Sequence, residues 1–256
     1  MSRLLEVEQL TLEMGGKQVC QQLDWQVQQG EIWGVLGVNG VGKSTLLQAL
    51  CGLRSVASGT IQVMGRPLQT MKRREIARWV GLLFQHQDDL FPSTVLEQVM
   101  MGRHPHTTLL QREQPEDIEI AQNCIERVGL QGMEQRILDT LSGGERRRAA
   151  IATLLAQQPQ LYLLDEPEAH LDPSHQKAIF REVVMQVQSQ PAGLVMALHD
   201  INLAIHHCTH LLLLMGDGVV EQGCTADMVT PQRVERLYGT AMTHIQQEGQ
   251  SAYLPL

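Results

Sequence analysis

The stretch Gly37-Val-Asn39-Gly40-Val-Gly42-Lys43-Ser44 constrains this chain more than any other, because it fits the pattern G-x-x-x-x-G-K-[ST]. The apolar run IWGVL precedes it, and Lys43 to Cys51 follows with a helical pattern. Strand, glycine-rich turn and helix in that order let the backbone N–H groups of Gly40, Gly42, Lys43 and Ser44 wrap an anion, with the helix dipole adding to the attraction. Lys43 then reaches the β- and γ-phosphates of a nucleotide, and the Ser44 hydroxyl is offered to Mg²⁺. The plainer alternative is a strand-to-helix turn that satisfies only its own backbone. The flanking strand and helix favour the phosphate site.

The remaining patterns place this loop in an α/β domain. Residues 4 to 36 read as strands, with a turn at Gly15 and Gly16, and GTIQVMG, MKRREIARWV and VGLLF read as strand, helix and strand. From about Gln85 to Gln158 the patterns are helical (STVLEQVMMG, EDIEIAQNCIERVGL, GERRRAAIATLLAQQ), which predicts a helical insertion. Strand and helix alternate again through LYLLD, HQKAIFREVVMQVQ, GLVMAL, INLAIHHC and HLLLLM, the mark of a parallel sheet with crossover helices. No linker or repeat divides the chain. The expectation is one domain over residues 1–256, with a nucleotide-binding core at about 1–84 and 159–256 and the insertion at about 85–158.

LYLLD ends in Asp165 and Glu166, which puts two acids at the carboxyl edge of the sheet, where open α/β folds bind ligands. Asp165 is the candidate Mg²⁺ ligand. Glu166 is expected to point elsewhere, because side chains alternate along a strand, and so to orient or deprotonate a water. A solvated strand end is the alternative for two such acids taken alone.

Composition removes other classes. Twenty Lys+Arg against 28 Asp+Glu give a net charge of −8, a poor basis for binding nucleic acid. Five scattered cysteines suggest neither a disulfide framework nor a zinc module, and fit a reducing cytosol. No stretch approaches the roughly 18 apolar residues of a spanning helix, so a membrane role is expected to run through a partner. His104, His106, His206, His207 and His210 have no acidic or cysteine partner at ligand spacing and read as surface residues.

Leu141-Ser142-Gly143-Gly144-Glu145, lying between the phosphate loop and the acidic strand, resembles the signature sequence of the ATP-binding cassette (ABC) ATPases. It also precedes a helix, giving a second helix start suited to an anion. Other elements resemble the family in order: Gln85 in LLFQH the Q-loop glutamine, Ala169-His-Leu-Asp172 the D-loop, and His199 in ALHD the switch histidine.

The resemblance covers essentially the whole chain and implies a P-loop core with a mainly parallel sheet, an N-terminal antiparallel β subdomain and an inserted helical subdomain. It implies ATP and Mg²⁺, with Gly37, Asn39, Gly40, Gly42, Lys43, Ser44 and Thr45 around the phosphates and Ser44, Gln85 and Asp165 at the metal. Glu166, His199 and Gln85 are the implied catalytic residues. It further implies a head-to-tail homodimer, in which Ser142, Gly143 and Gly144 of one copy meet the γ-phosphate held by the other and Asp172 ties the two sites together.

Three departures from the family pattern stand out. Met14 occupies the place where an aromatic side chain usually stacks on adenine. Glu168 stands where threonine is frequent after Asp165-Glu166-Pro, and the run Arg146-Arg147-Arg148 has arginine where glutamine is common after the signature.

Val99-Met-Met-Gly102-Arg103-His-Pro105 and Arg236-Leu-Tyr238-Gly239 resemble the branch serving iron-chelate, haem and cobalamin importers. That branch implies separate integral membrane permeases docked between Gln85 and about Pro105, a substrate-binding protein upstream, and a peripheral location on the cytoplasmic face of the membrane. An exporter or lipid transporter motor and a non-transport ABC switch remain as alternatives, and cargo identity is not written in these residues.

Overall fold

The computed structural model describes residues 2–85, 92–107, 114–169, 173–247 and 250–256. The chain opens with β1 (Arg3–Met14), β2 (Lys17–Gln28) and β3 (Ile32–Leu36), then α1 (Lys43–Leu50). Next come β4 (Ser58–Val63), β5 (Arg66–Pro67), α2 (Arg73–Trp79) and β6 (Val80–Leu83). Three helices follow before the next strand: α3 (Val95–Met100), α4 (Pro115–Arg127) and α5 (Gly143–Gln157). The α/β alternation resumes with β7 (Leu161–Asp165), α6 (Pro173–Ser189), β8 (Gly193–Ala197), α7 (Ile201–His207) and β9 (His210–Gly216). Beyond the last strand read from the sequence lie β10 (Val219–Cys224), α8 (Thr225–Met228), α9 (Pro231–Tyr238) and a hairpin of β11 (Met242–Gln247) and β12 (Gln250–Pro255).

The central sheet has the order β10-β9-β3-β8-β7-β6, parallel throughout except for the β10 edge. A second, antiparallel sheet has the order β2-β1-β4-β5. The apolar runs of the parallel strands have a simple cause, since both faces of that sheet are covered. Ile32, Leu36, Tyr162, Leu164, Leu194, Met196, Leu211 and Leu213 face a core shared with α3 to α7. Their neighbours Trp33, Val35, Leu161, Leu163, Val195, Ala197, Leu212 and Leu214 face a core shared with α1 and the antiparallel sheet. Every residue of β3, β7 and β8 is buried. Polar chemistry is thereby displaced to the carboxyl edge of the strands.

Local signals set the helix starts. Thr94 caps α3 and Ser142 caps α5, each in a reciprocal capping box, with Glu97 and Glu145 respectively. Gly102 and Arg103, within the segment expected to form the docking groove, pack against the helical region. A Cβ on Gly102 would lie 2.2 Å from the Thr153 carbonyl oxygen of α5, so only glycine lets the segment after α3 touch that helix. Arg103 is buried beside it, with Nε donating to Asp117 Oδ1 at 2.8 Å and Nη1 donating to the Ala156 carbonyl at 2.8 Å and to Gln158 Oε1 at 3.0 Å. Breaking such a buried pair costs on the order of 3–5 kcal/mol. The groove expected between Gln85 and about Pro105 lies partly outside the described residues.

Gly102→Ala is expected to cost about 1–3 kcal/mol by overpacking against α5. Thermal unfolding checks this, with Tm lowered by roughly 2–4 °C for each kcal/mol in a chain of this size. An unchanged Tm would remove the close-approach argument.

Candidate nucleotide site

The phosphate loop is shaped by glycine where no other residue fits. Gly42 has φ +112°, and a Cβ there would stand 2.5 Å from Val19 Cγ2. The loop delivers Lys43 and Ser44 to the start of α1, which is packed into the core through Leu46, Leu47 and Leu50. Met14, Asn39, Gly40, Gly42, Lys43, Ser44, Thr45, Gln85, Glu166 and His199 line one open cleft of about 370 Å³ at the carboxyl edge of the sheet. Gly37 stands behind it, closely packed against the Leu214 carbonyl, and contributes its own carbonyl to Lys43.

Lys43 is buried and spends its donors locally, on the carbonyls of Gly37 at 2.8 Å and Val38 at 3.3 Å and on His199 Nδ1 at 3.4 Å. Burial pulls its ammonium below the usual lysine range, and the carboxylates of Glu166, Asp165 and Glu168 act in the opposite direction. Because an ammonium can only donate, His199 Nδ1 accepts, which leaves the ring proton on Nε2 facing Glu166 Oε1. The Gln85 amide donates from Nε2 to the other oxygen, Glu166 Oε2, at 2.5 Å. Glu166 is thus gripped on both oxygens, by residues arriving from the ends of β6 and β8.

The expectation that strand alternation separates Asp165 from Glu166 needs correcting. β7 ends at Asp165, and Glu166 has φ +47°, in the left-handed region. That turn, rather than the pleat, redirects its side chain. A non-glycine residue held there costs on the order of 1–3 kcal/mol and persists only when its surroundings fix it. Here its N–H donates to the Ala197 carbonyl at 3.1 Å, and its own carbonyl accepts from Ala169 N at 3.1 Å.

Asp165 is buried and hydrogen-bonded by the Ser44 hydroxyl, and burial raises its pKa. Its Oδ1 has no hydrogen-bond partner among the described residues. A buried, orphaned carboxylate oxygen beside a serine hydroxyl is a hard oxygen donor set that suits Mg²⁺. Thr45 Oγ1 donates to Met14 Sδ at 3.0 Å, which holds Met14 beside the start of α1 on the cleft wall.

Ser142, Gly143 and Gly144 do not line this cleft in their own chain. They form the start of α5, with Ser142 and Gly143 exposed, and Ser142 Oγ donates to Glu145 Oε2 at 2.8 Å. Asp172 lies outside the described residues.

Three residues at the site escaped the sequence reading of function. Arg147 is buried beneath the acids, with its guanidinium on four backbone carbonyls. The available signal was its helical phase with Ile151 and Leu154, which places a cation on the buried stripe of α5. Glu168 is largely buried below His199, whose N–H lies 3.5 Å from its Oε1, and burial raises its pKa. Tyr238, at the end of α9, donates its hydroxyl to the His199 carbonyl at 2.9 Å and steadies the histidine from behind. The histidines read as surface residues have local partners. His207 stacks on Phe180, and His210 stacks on Trp33 with Cys224 Sγ 3.6 Å from its Nε2. Among the described residues no group of ligands able to hold a metal ion forms there.

Comparison with known proteins agrees with this geometry. Residues 20–169 match the family described as ABC transporter. The ferric enterobactin transport ATP-binding protein of Escherichia coli K12 is 37% identical, over 92% of this chain and 87% of its own length. The hemin import ATP-binding protein of Deinococcus radiodurans is also 37% identical, over 92% of this chain and 90% of its own. A solved chain from an inward-facing transporter of metal-chelate type superposes with a TM-score of 0.85 at 28% identity, covering 99% of this chain and 98% of that one. The chain therefore belongs to the ABC transporter ATPases. As a member of that family it is an ATP-binding, ATP-hydrolysing transport subunit. No helix among the described residues is long and apolar enough to cross a membrane.

A thioether packed on a π-system contributes about 0.3–1.5 kcal/mol, less than a stacked aromatic pair gains with its larger buried area. Met14→Tyr is therefore expected to lower the KM for ATP severalfold with kcat little changed. Steady-state ATPase kinetics check it, and an unchanged KM would count against Met14 as the adenine contact.

Proposed function

We propose that this chain is the ATP-hydrolysing motor of a bacterial importer for an iron chelate, haem or cobalamin, and that Mg²⁺ serves as its metal. It works as a head-to-tail homodimer, docked on separate integral membrane permeases at the cytoplasmic face of the membrane and fed by a substrate-binding protein. The observation that carries the reading is Glu166, held on both oxygens by Gln85 and His199 and facing Lys43 across the cleft. The importer class is supported by the transport and import functions of the enterobactin and hemin relatives, joined by a cobalamin import ATP-binding protein of Halobacterium salinarum, 33% identical over 91% of this chain and 58% of its own length.

In this reading Lys43 turns from the Gly37 and Val38 carbonyls to the terminal phosphates and neutralises their charge. Ser44, Gln85 and Asp165 would hold Mg²⁺, which when bound supplies further positive charge to the phosphates. Glu166 takes a proton from the attacking water. Gln85 and His199 fix the direction of its carboxylate, and the Nε2 proton of His199 is available to the γ-phosphate oxygens. The exposed start of α5, with Ser142, Gly143 and Gly144, supplies N–H donors to the nucleotide of a second copy, and Asp172 links the two sites.

Glu166→Gln retains the shape and loses the base. It is expected to lower kcat by at least about 100-fold while ATP binding persists, and to yield an ATP-dependent dimer on size exclusion with light scattering. A variant that stays monomeric with saturating ATP overturns the shared-site reading. For cargo, uptake of labelled haem, ferric siderophores and cobalamin is compared in source cells whose sole copy is wild-type or Glu166→Gln. Selective loss of one cargo supports import and names it, whereas undiminished uptake of all three refutes the importer assignment.

A further inference from the structure

Among the described residues, the Arg147 side chain joins the signature helix α5 to the catalytic end of its own subunit. Arg147 Nη1 donates to the carbonyls of Phe84 at 2.5 Å and Gln85 at 3.4 Å. Its Nη2 donates to the carbonyls of Asp165 at 2.8 Å and Glu166 at 2.6 Å. One planar fork therefore clamps together the two chain segments that carry Gln85 and Glu166, whose side chains meet above it. Arg147 lies five residues from the Ser142 cap, about 7.5 Å along a helix that rises 1.5 Å per residue. α5 is stiffened by its capping box at one end and by a buried face of Ile151, Leu154 and Leu155 along its length.

The guanidinium is buried, and the carboxylates of Glu168, Asp165 and Glu166 together oppose its desolvation. Glu168 in turn reaches the His199 backbone. Arg147 and Glu168 belong to the two stretches noted above as departures from the pattern that the sequence resembles. The fold brings both departures to one buried location.

We propose that Arg147 is a positioning residue for ATP hydrolysis, which, with Glu168 as its compensating charge, fixes the spacing of Gln85 and Glu166 to the position of the signature helix. Contact made by Ser142 and Gly144 at the partner's γ-phosphate is then reported along α5 to the water-activating group of the same subunit. The two nucleotide sites of the dimer are coupled through this fork. The inference rests on the head-to-tail dimer proposed above.

The experiment compares full-length wild type, Arg147→Gln, Glu168→Thr and the double variant by ATPase kinetics per bound nucleotide and by thermal unfolding. Arg147→Gln has two donors where the fork spends bonds on four carbonyls. It is expected to lower kcat about tenfold with KM within about twofold, and to bring the Hill coefficient from near 2 toward 1. The double variant is expected to recover kcat and cooperativity toward wild type and to unfold at a higher temperature than the two single changes together predict.

The proposal is overturned if Arg147→Gln lowers Tm but keeps kcat per bound nucleotide and the Hill coefficient, or if the double variant is no better than the single. Should Arg147→Gln fail to fold, Glu168→Thr takes its place. Undiminished cooperativity in that variant overturns the pairing. A wild-type protein without cooperative hydrolysis, or a Glu166→Gln variant without an ATP-bound dimer, would strike the dimer reading itself, an outcome separate from any effect at Arg147.

Discussion

Three carboxylates, Asp165, Glu166 and Glu168, enter the protein within four residues of one another, and two of them are buried. Charge of one sign taken out of water at that density is tolerated only with cations and donors of fitting geometry. Lys43 comes from α1 and Arg147 from α5, each buried, with the three acids opposing the desolvation of both. The consequence reaches past electrostatics. The helix that follows the phosphate loop and the helix that follows the signature are tied to the same strand end, so the helical region cannot shift without disturbing the acids.

The parallel sheet makes this concentration of charge unavoidable. With β3, β7 and β8 buried on both faces, the interior has no place for a polar side chain until the strands end. At that edge the backbone itself turns functional. Glu166 leaves the strand in a left-handed conformation that two backbone hydrogen bonds support, and this lets neighbouring acids serve different purposes. Asp165 stays with Ser44, its buried Oδ1 without a hydrogen-bond partner among the described residues, while Glu166 swings to Gln85 and His199.

Much of this was legible in the sequence because the signals are local. The glycine pattern before a helix, the apolar strands with acidic ends and the Ser142-x-x-Glu145 cap each announce a conformation within a few residues. The order of Gln85, the signature and His199 then singled out the family. What stayed hidden depends on tertiary proximity. Arg147 and Glu168 were noticed only as departures, since nothing in the chain says that residues 21 positions apart share one buried charge cluster. Gly102 read only as part of the segment resembling the importer branch, because the Thr153 carbonyl that excludes a Cβ is 51 residues away. Tyr238 carried no sign that its hydroxyl supports the switch histidine, and the C-terminal hairpin had no periodicity strong enough to anticipate.

The exposed start of α5 completes the physical picture. A helix N-terminus presents N–H groups that no intrahelical carbonyl satisfies, and here the capping box answers part of that need. The remaining donors face solvent, away from the cleft that holds Lys43. Within one chain, this second helix start does not line the cleft of the phosphate loop. The head-to-tail pair proposed above would remove this separation for both chains at once, with the nucleotide's own charge as the contact that favours it. In that dimer, hydrolysis would take away the terminal phosphate that both helix starts share, so the chemistry assigned above to Glu166 would also weaken the association.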